Sequence, residues 1–170
     1  MTVHVLQGAV DVPKDSLGRL RRRAMQGRPI FNPDDKRLQK SISRKLAVVR
    51  RAEAALEVEG LLNGRRISSP VVIQSKPGCK QQAWHCDYDP DAVEASECPP
   101  MGVVVALEGG TRFETPNHCY TLEAGDVLAF TGDTVHAGAA YTKGNTRIHF
   151  YLDTPEIPRP RDGTWLIKEK

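Results

Sequence analysis

In AWHCDYD, residues 83–89, a histidine stands two residues before an aspartate, in a chain of 170 residues that holds five histidines. In an extended strand, residues i and i+2 point to the same face. His85 and Asp87 therefore project together, and Trp84 and Cys86 project to the other side. An imidazole beside a carboxylate can hold a metal ion, but this pair alone has little specificity. His136, in EAGDVLAFTGDTVHAGAA, is the third candidate. There the run DVLAF enters a tight TGD turn and returns as TVHAG, which places His136 at the start of a return strand. Two histidines and one carboxylate on adjacent strands form a facial triad. Three open positions then remain on the metal, a pattern suited to non-haem Fe(II) with a cosubstrate and dioxygen. A closed structural site would take four protein ligands instead.

Arg147, in NTRIHFYLD, adds a fourth group. A guanidinium in an apolar strand needs an anionic partner, because an unpaired buried charge is very costly. Its planar fork matches a carboxylate in two-pronged fashion. The competing reading is a structural salt bridge to Asp126 or Glu123. His149 shares the face of Arg147, either to hold the same anion or as a satisfied core histidine.

These residues need a frame. From Ser69 onward, VVIQSK, QQAWHCD, MGVVVAL, TRFET, CYTLE, DVLAF, TVHAGAA and TRIHFYLD read as eight short strands divided by Gly, Pro, Asn or Asp. Such density predicts a sandwich, jelly roll or barrel. Residues 1–68 read mostly as helix. One short basic helix is expected between Lys14 and Met25. A longer one is expected from Asn32 as cap and Pro33 as first residue, with Asp34 and Asp35 in its first turn. Leu38, Ile42, Leu46, Val49 and Leu56 would form its apolar stripe, and Gly60 or Gly64 its stop. Both helices need a sheet to cover. Residues 154–170 open with TPEIPRPRDG, which reads as an extended surface segment before TWLIKEK.

The set His85-Cys86-Asp87, then His136, then Arg147 resembles the 2-oxoglutarate/Fe(II)-dependent dioxygenases, in their prolyl-hydroxylase-like and phytanoyl-like branch. KPGCKQQAWHCD resembles the lead-in to that family's HxD motif, EGGTRFET its GGxTxF turn, and AGDVLAFTGDTVHAG the segment of its distal histidine. The resemblance covers about residues 69–153. It implies a single domain with a double-stranded β-helix (jelly-roll) core, mainly β, with the N-terminal helices on the larger sheet. It implies that His85, Asp87 and His136 bind Fe(II) and that Arg147 binds the far carboxylate of 2-oxoglutarate, with ascorbate as an optional reductant. The cosubstrate would be decarboxylated to succinate while a C–H bond is hydroxylated, or a methyl group is lost after hydroxylation. The family's halogenases carry a small residue in place of Asp87. Many relatives carry Ser or Thr where this chain has His149, and the second arginine of the nucleic-acid-demethylating branch is missing after Leu152-Asp153.

Other features bear on substrate and partners. Residues 1–70 hold 15 Lys/Arg against 7 Asp/Glu, a difference of +8, and residues 71–170 hold 9 against 14, a difference of −5. Nucleic-acid binding through residues 14–66 is not favoured over a solvated helix surface, because no aromatic residue interleaves the arginines. The acidic segment DYDPDAVEASECPP, residues 87–100, is a candidate lid that would favour a cationic group, and hence a peptidyl side chain over a small metabolite. Tyr88 is a candidate for the pocket mouth, Trp84 for packing the sheet against the helices, and His118 with Cys119 for a turn. His4 reads as a surface or sheet residue. No apolar run approaches ~18 residues, no secretory pattern opens the chain, and the four cysteines form no CxxC pair. The expectation is a soluble intracellular protein, cytoplasmic or nuclear, with reduced thiols. Two other functions compete. A cupin-type metal enzyme independent of 2-oxoglutarate would leave Arg147 without a role. A non-catalytic nucleic-acid-binding β-domain would make the triad a coincidence.

Overall fold

Alternation of side chains along strands decides the architecture, because each central strand has one face for the helices and one for the second sheet. The computed structural model describes residues 2–30, 33–159 and 165–166. In chain order the elements are β1 (Val3–Leu6), α1 (Lys14–Met25), β2 (Arg28–Pro29), β3 (Arg37–Ser41), α2 (Ala47–Val58), β4 (Arg66–Ser75), β5 (His85–Cys86) and α3 (Pro90–Glu94). They continue with β6 (Met101–Ala106), β7 (Thr111–Thr115), β8 (His118–Leu122), β9 (Val127–Thr131), β10 (Ala137–Gly138), β11 (Asn145–Asp153) and β12 (Trp165–Leu166). The eight expected strands are β4 to β11. The fold is a mainly β jelly roll.

The larger sheet has the antiparallel order β1-β9-β6-β11-β4-β3-β2. The smaller one is assembled from β10-β7-β8 and β12-β5, and a His85–His136 bridge joins the two pieces. Along β6, Met101, Val103 and Val105 face the helices, while Val104 and Ala106 face the smaller sheet. Along β11, Ile148, Phe150 and Leu152 face the helices. Arg147, His149 and Tyr151 take the other side and line the cavity between the sheets. Leu20 and Ala24 of α1 and Val49, Ala52 and Leu56 of α2 complete the helix–sheet core.

The first helix has the expected bounds, but the second is shorter than its apolar spacing suggests. Leu38 lies in β3, which pairs with β4 over Arg37–Ser41, and helix begins only at Ala47. Leu38 and Ile42 fit a strand alternation as well as a helical one, and the free edge of β4 decides between them by offering backbone hydrogen bonds. Asp34, expected in a helix, instead accepts the backbone N–H groups of Lys36 and Lys80. The expected cap, Asn32, lies outside the described residues. Residues 1–68 are thus not simply helical: they also supply three strands and the start of a fourth to the larger sheet.

Gly102 is needed for packing. It faces Phe130 across the β6–β9 pair, and an added Cβ would fall 2.2 Å from that ring. Phe130 is fully buried and its ring centroid lies 4.7 Å from that of His136. Gly102→Ala is therefore expected to lower stability by about 1–3 kcal/mol through overpacking, read as a reduced urea midpoint.

Candidate metal and cosubstrate site

The smaller sheet brings the two histidines together. The His85 N–H donates to the His136 carbonyl at 3.0 Å, and the His136 N–H returns the bond at 2.9 Å. The pairing sets their ring centroids 4.4 Å apart. One residue beyond β5, the Asp87 N–H is held by the Gly132 carbonyl at 3.2 Å, so the TGD turn fixes the carboxylate as well as the return strand. Ligand atoms of His85, Asp87 and His136 all lie within 4.8 Å of one another, and all three residues are buried.

The donor set fits a cation. Each imidazole Nδ1 lies 2.8 Å from a carbonyl oxygen two residues back, Ala83 for His85 and Thr134 for His136. A carbonyl can only accept, so both rings carry their proton on Nδ1 and present the Nε2 lone pair to the cluster. His136 Nε2 is 3.9 Å from Asp87 Oδ1. Asp87 Oδ2 is buried with no hydrogen-bond partner among the described residues. A lone carboxylate oxygen and two imidazole lone pairs facing one another are costly without a positive charge between them.

Arg147 lies on the same cavity wall. Its Nη1 donates to Ser75 Oγ at 3.1 Å and to Asn145 Oδ1 at 3.4 Å, and its guanidinium carbon lies 5.5 Å from the centre of the Tyr141 ring. Among the described residues no carboxylate pairs with it. Asp126, one expected alternative partner, accepts from the N–H groups of Gly8 and Glu123 instead. His149 Nε2 is 3.8 Å from Asp87 Oδ2, which puts its ring beside the candidate metal ligands. The cavity of about 1220 Å³ is walled by Val104, Phe113, Phe130 and Tyr151 and opens between the sheets.

No protein-family model and no curated protein matches the chain. Solved structures do. The non-haem α-ketoglutarate-dependent epimerase SnoN from nogalamycin biosynthesis superposes with a TM-score of 0.68 at 18% identity, over 89% of this chain and 77% of that one. A viral collagen prolyl hydroxylase from Paramecium bursaria Chlorella virus-1, in its 2OG complex, gives 0.61 at 14% identity over 88% and 94%. A Pseudomonas putida prolyl-4-hydroxylase gives 0.62 at 14% identity over 93% and 92%. The chain has the fold of the 2-oxoglutarate/Fe(II)-dependent oxygenases.

Within this oxygenase fold several sequence readings change. Tyr88 is not at the mouth. It is fully buried, packs with Val93 and Ile157, and donates its hydroxyl to Asp153 Oδ1. Trp84 is half-buried in the segment just before β5 and takes no part in the helix–sheet core. The acidic segment beyond Asp87 does not border the cavity: Asp89 caps α3, and the Pro99 carbonyl is held by Arg65 Nε at 2.7 Å. His118 and Cys119 open β8 beyond a hairpin turn closed by Thr115, and His4 lies in β1.

Sequence reasoning missed Arg37. It is fully buried, and its Nη2 donates to the carbonyls of Lys80, Gly138 and Ala139, tying β3 to the strand that carries His136. Burial first, and the nearby Arg147 second, pull its pKa down to about 10. Charge alone gave no signal, since Arg37 falls within the stretch expected to form the second helix.

Burial also perturbs the site's acids and bases in the absence of metal. It lowers His85 to about 4, His136 to about 4 and His149 to about 3. It raises Asp87 to about 7. Between pH ~4 and 6.5 the unfolded chain would hold three imidazole protons that the folded chain lacks, and the folded chain would hold one carboxyl proton that the unfolded chain lacks. Unfolding then takes up a net of roughly two protons, so stability rises with pH across this window and is lost on acidification. The expected slope is at most about 2.7 kcal/mol per pH unit, checked by urea midpoints of metal-free protein between pH 4.5 and 6.5.

Proposed function

We propose that the protein is an Fe(II)- and 2-oxoglutarate-dependent oxygenase that hydroxylates a C–H bond. His85, Asp87 and His136 hold the iron, and Arg147 takes the far carboxylate of the cosubstrate. One observation carries this reading: three inward donors converge in a cavity whose wall also holds a buried guanidinium with no carboxylate partner among the described residues. Bound iron supplies dioxygen activation coupled to oxidation of 2-oxoglutarate to succinate and carbon dioxide. The chain does the rest. The Ala83 and Thr134 carbonyls keep both imidazoles in the ligand tautomer, Ser75 and Asn145 aim Arg147, and the Phe113–Phe130 wall keeps water from the reacting centre. The Asp87 carboxylate fills the position that a halogenase leaves for halide, so hydroxylation is the favoured outcome.

A cupin-type enzyme independent of 2-oxoglutarate leaves Arg147 without a function. The two readings separate on adding Fe(II) and 2-oxoglutarate without oxygen. A visible metal-to-ligand charge-transfer band is expected, then succinate once oxygen is admitted. Absence of both signals from iron-loaded protein would sink the proposal. The preference for a peptidyl side chain leaned on an acidic lid, and residues 88–100 lie away from the cavity.

A further inference from the structure

The mouth of the cavity is basic. Arg23, at the end of α1, and Arg28 and Lys40, on β2 and β3, form one lip, while Arg112 and Arg159 stand on others. Arg112 is paired with Glu114, and Arg159 with Asp153 at 3.7 Å. Arg23 donates to the Ser41 carbonyl and keeps its charge. Arg28 and Lys40 are exposed and belong to no ion pair among the described residues. The cosubstrate does not explain them: on the proposed reading its two carboxylates are already answered by the metal and by Arg147. A lip with three uncompensated positive charges fits a polyanion.

Aromatic surface is also present, though not where the sequence could show it. Tyr151 lies on the cavity wall with the Arg159 guanidinium 4.0 Å from its ring centre, and the His149 ring stands edge-on to it at 4.6 Å. The arginines come from the N-terminal elements and these rings from β11, so the two meet only on folding. Positive charge beside aromatic rings is the pattern used for single-stranded nucleic acid. The depth of the site adds a constraint. His85, Asp87 and His136 are 3–6% exposed, so the reacting unit must leave its chain and enter, as a base turned out of its stack does. A folded acidic protein surface meets neither demand.

We propose that the substrate is single-stranded nucleic acid, its phosphates held on the Arg23–Arg28–Lys40 lip and one unit turned inward past Tyr151. The proposal rests on the oxygenase reading for the chemistry but not for the binding, which can be measured without iron. The probe is a fluorescein-labelled ten-nucleotide oligothymidylate, titrated by anisotropy in EDTA. Three phosphate contacts predict a loss of roughly 20-fold in affinity between 50 and 200 mM salt. Arg28→Glu with Lys40→Glu should cost at least tenfold more at low salt. Absence of binding, or binding unchanged in the double variant, overturns the proposal. So does an octaglutamate peptide that binds more tightly and raises succinate formation where the oligonucleotide does not. The charge-transfer band separates the two failures. A band without oligonucleotide binding removes this surface alone, and binding without a band removes the oxygenase reading alone.

Discussion

Asp87→Asn should make the metal-free protein more stable and strongly weaken its binding of a metal. Asp87 is 3% exposed, its Oδ2 has no hydrogen-bond partner among the described residues, and burial raises its pKa to about 7 from an ordinary 3.8. The sign follows from linkage. A group whose folded pKa is raised makes the folded state bind more protons, so stability falls as pH rises from the unfolded value through the folded one. Above pH ~7 the metal-free protein carries the full burden of an ionised buried carboxylate, on the order of 2–4 kcal/mol. Asparagine keeps the shape and removes the charge. The urea midpoint of the variant in EDTA at pH 8 should therefore exceed that of the wild type, and the difference should vanish toward pH 4. Titration with Co(II) or Fe(II) should show the opposite, a loss of affinity of about 100-fold or more, because one of three ligands has lost its anionic oxygen. A merely structural aspartate would destabilise the protein on replacement. A less stable Asn variant in EDTA thus argues against a carboxylate waiting for a cation.

Why the sequence spoke clearly on some points and not on others has a physical basis. The strand alternation of residues 69–153 was legible because each strand has to present different side chains to the helices and to the second sheet. Val103 and Val105 point one way and Val104 the other. The HxD spacing was legible for the same reason: period two puts His85 and Asp87 on one face. β3 was not legible, because Leu38 and Ile42 satisfy both a strand and a helix period, and only the open edge of β4 breaks the tie. Arg37 was hidden with it. Its burial depends on the Lys80, Gly138 and Ala139 carbonyls, which lie 43 to 102 residues away in sequence. The acidic segment misled because negative charge next to the strand of His85 in sequence does not imply negative charge next to the candidate metal site. Tyr88 turns inward against Val93 and carries the following residues away from the cavity.

Arg147→Gln should separate cosubstrate binding from metal binding. Arg147 is 5% exposed, and its Nη1 is oriented by Ser75 and Asn145. With no carboxylate partner among the described residues, it offers a cosubstrate carboxylate a desolvated, pre-aimed fork. Breaking one side of a buried ion pair costs about 3–5 kcal/mol, which corresponds to roughly 150- to 5,000-fold in affinity. The 2-oxoglutarate dissociation constant, read from the anaerobic charge-transfer band, should rise by that factor. The Fe(II) dissociation constant should change by no more than a few-fold, since Arg147 is not in the cluster of candidate metal ligands. Selectivity gives the sharper test. Wild-type protein should prefer 2-oxoglutarate strongly over a 2-oxo acid that ends in a methyl group, because only the former has a far carboxylate. The Gln variant should lose that preference, binding both about equally, and Arg147→Lys should recover part of it as a point charge without the fork. If the Gln variant keeps its preference for the dicarboxylate, another residue grips the tail, and the buried Arg37, whose pKa already responds to Arg147, is the next to replace.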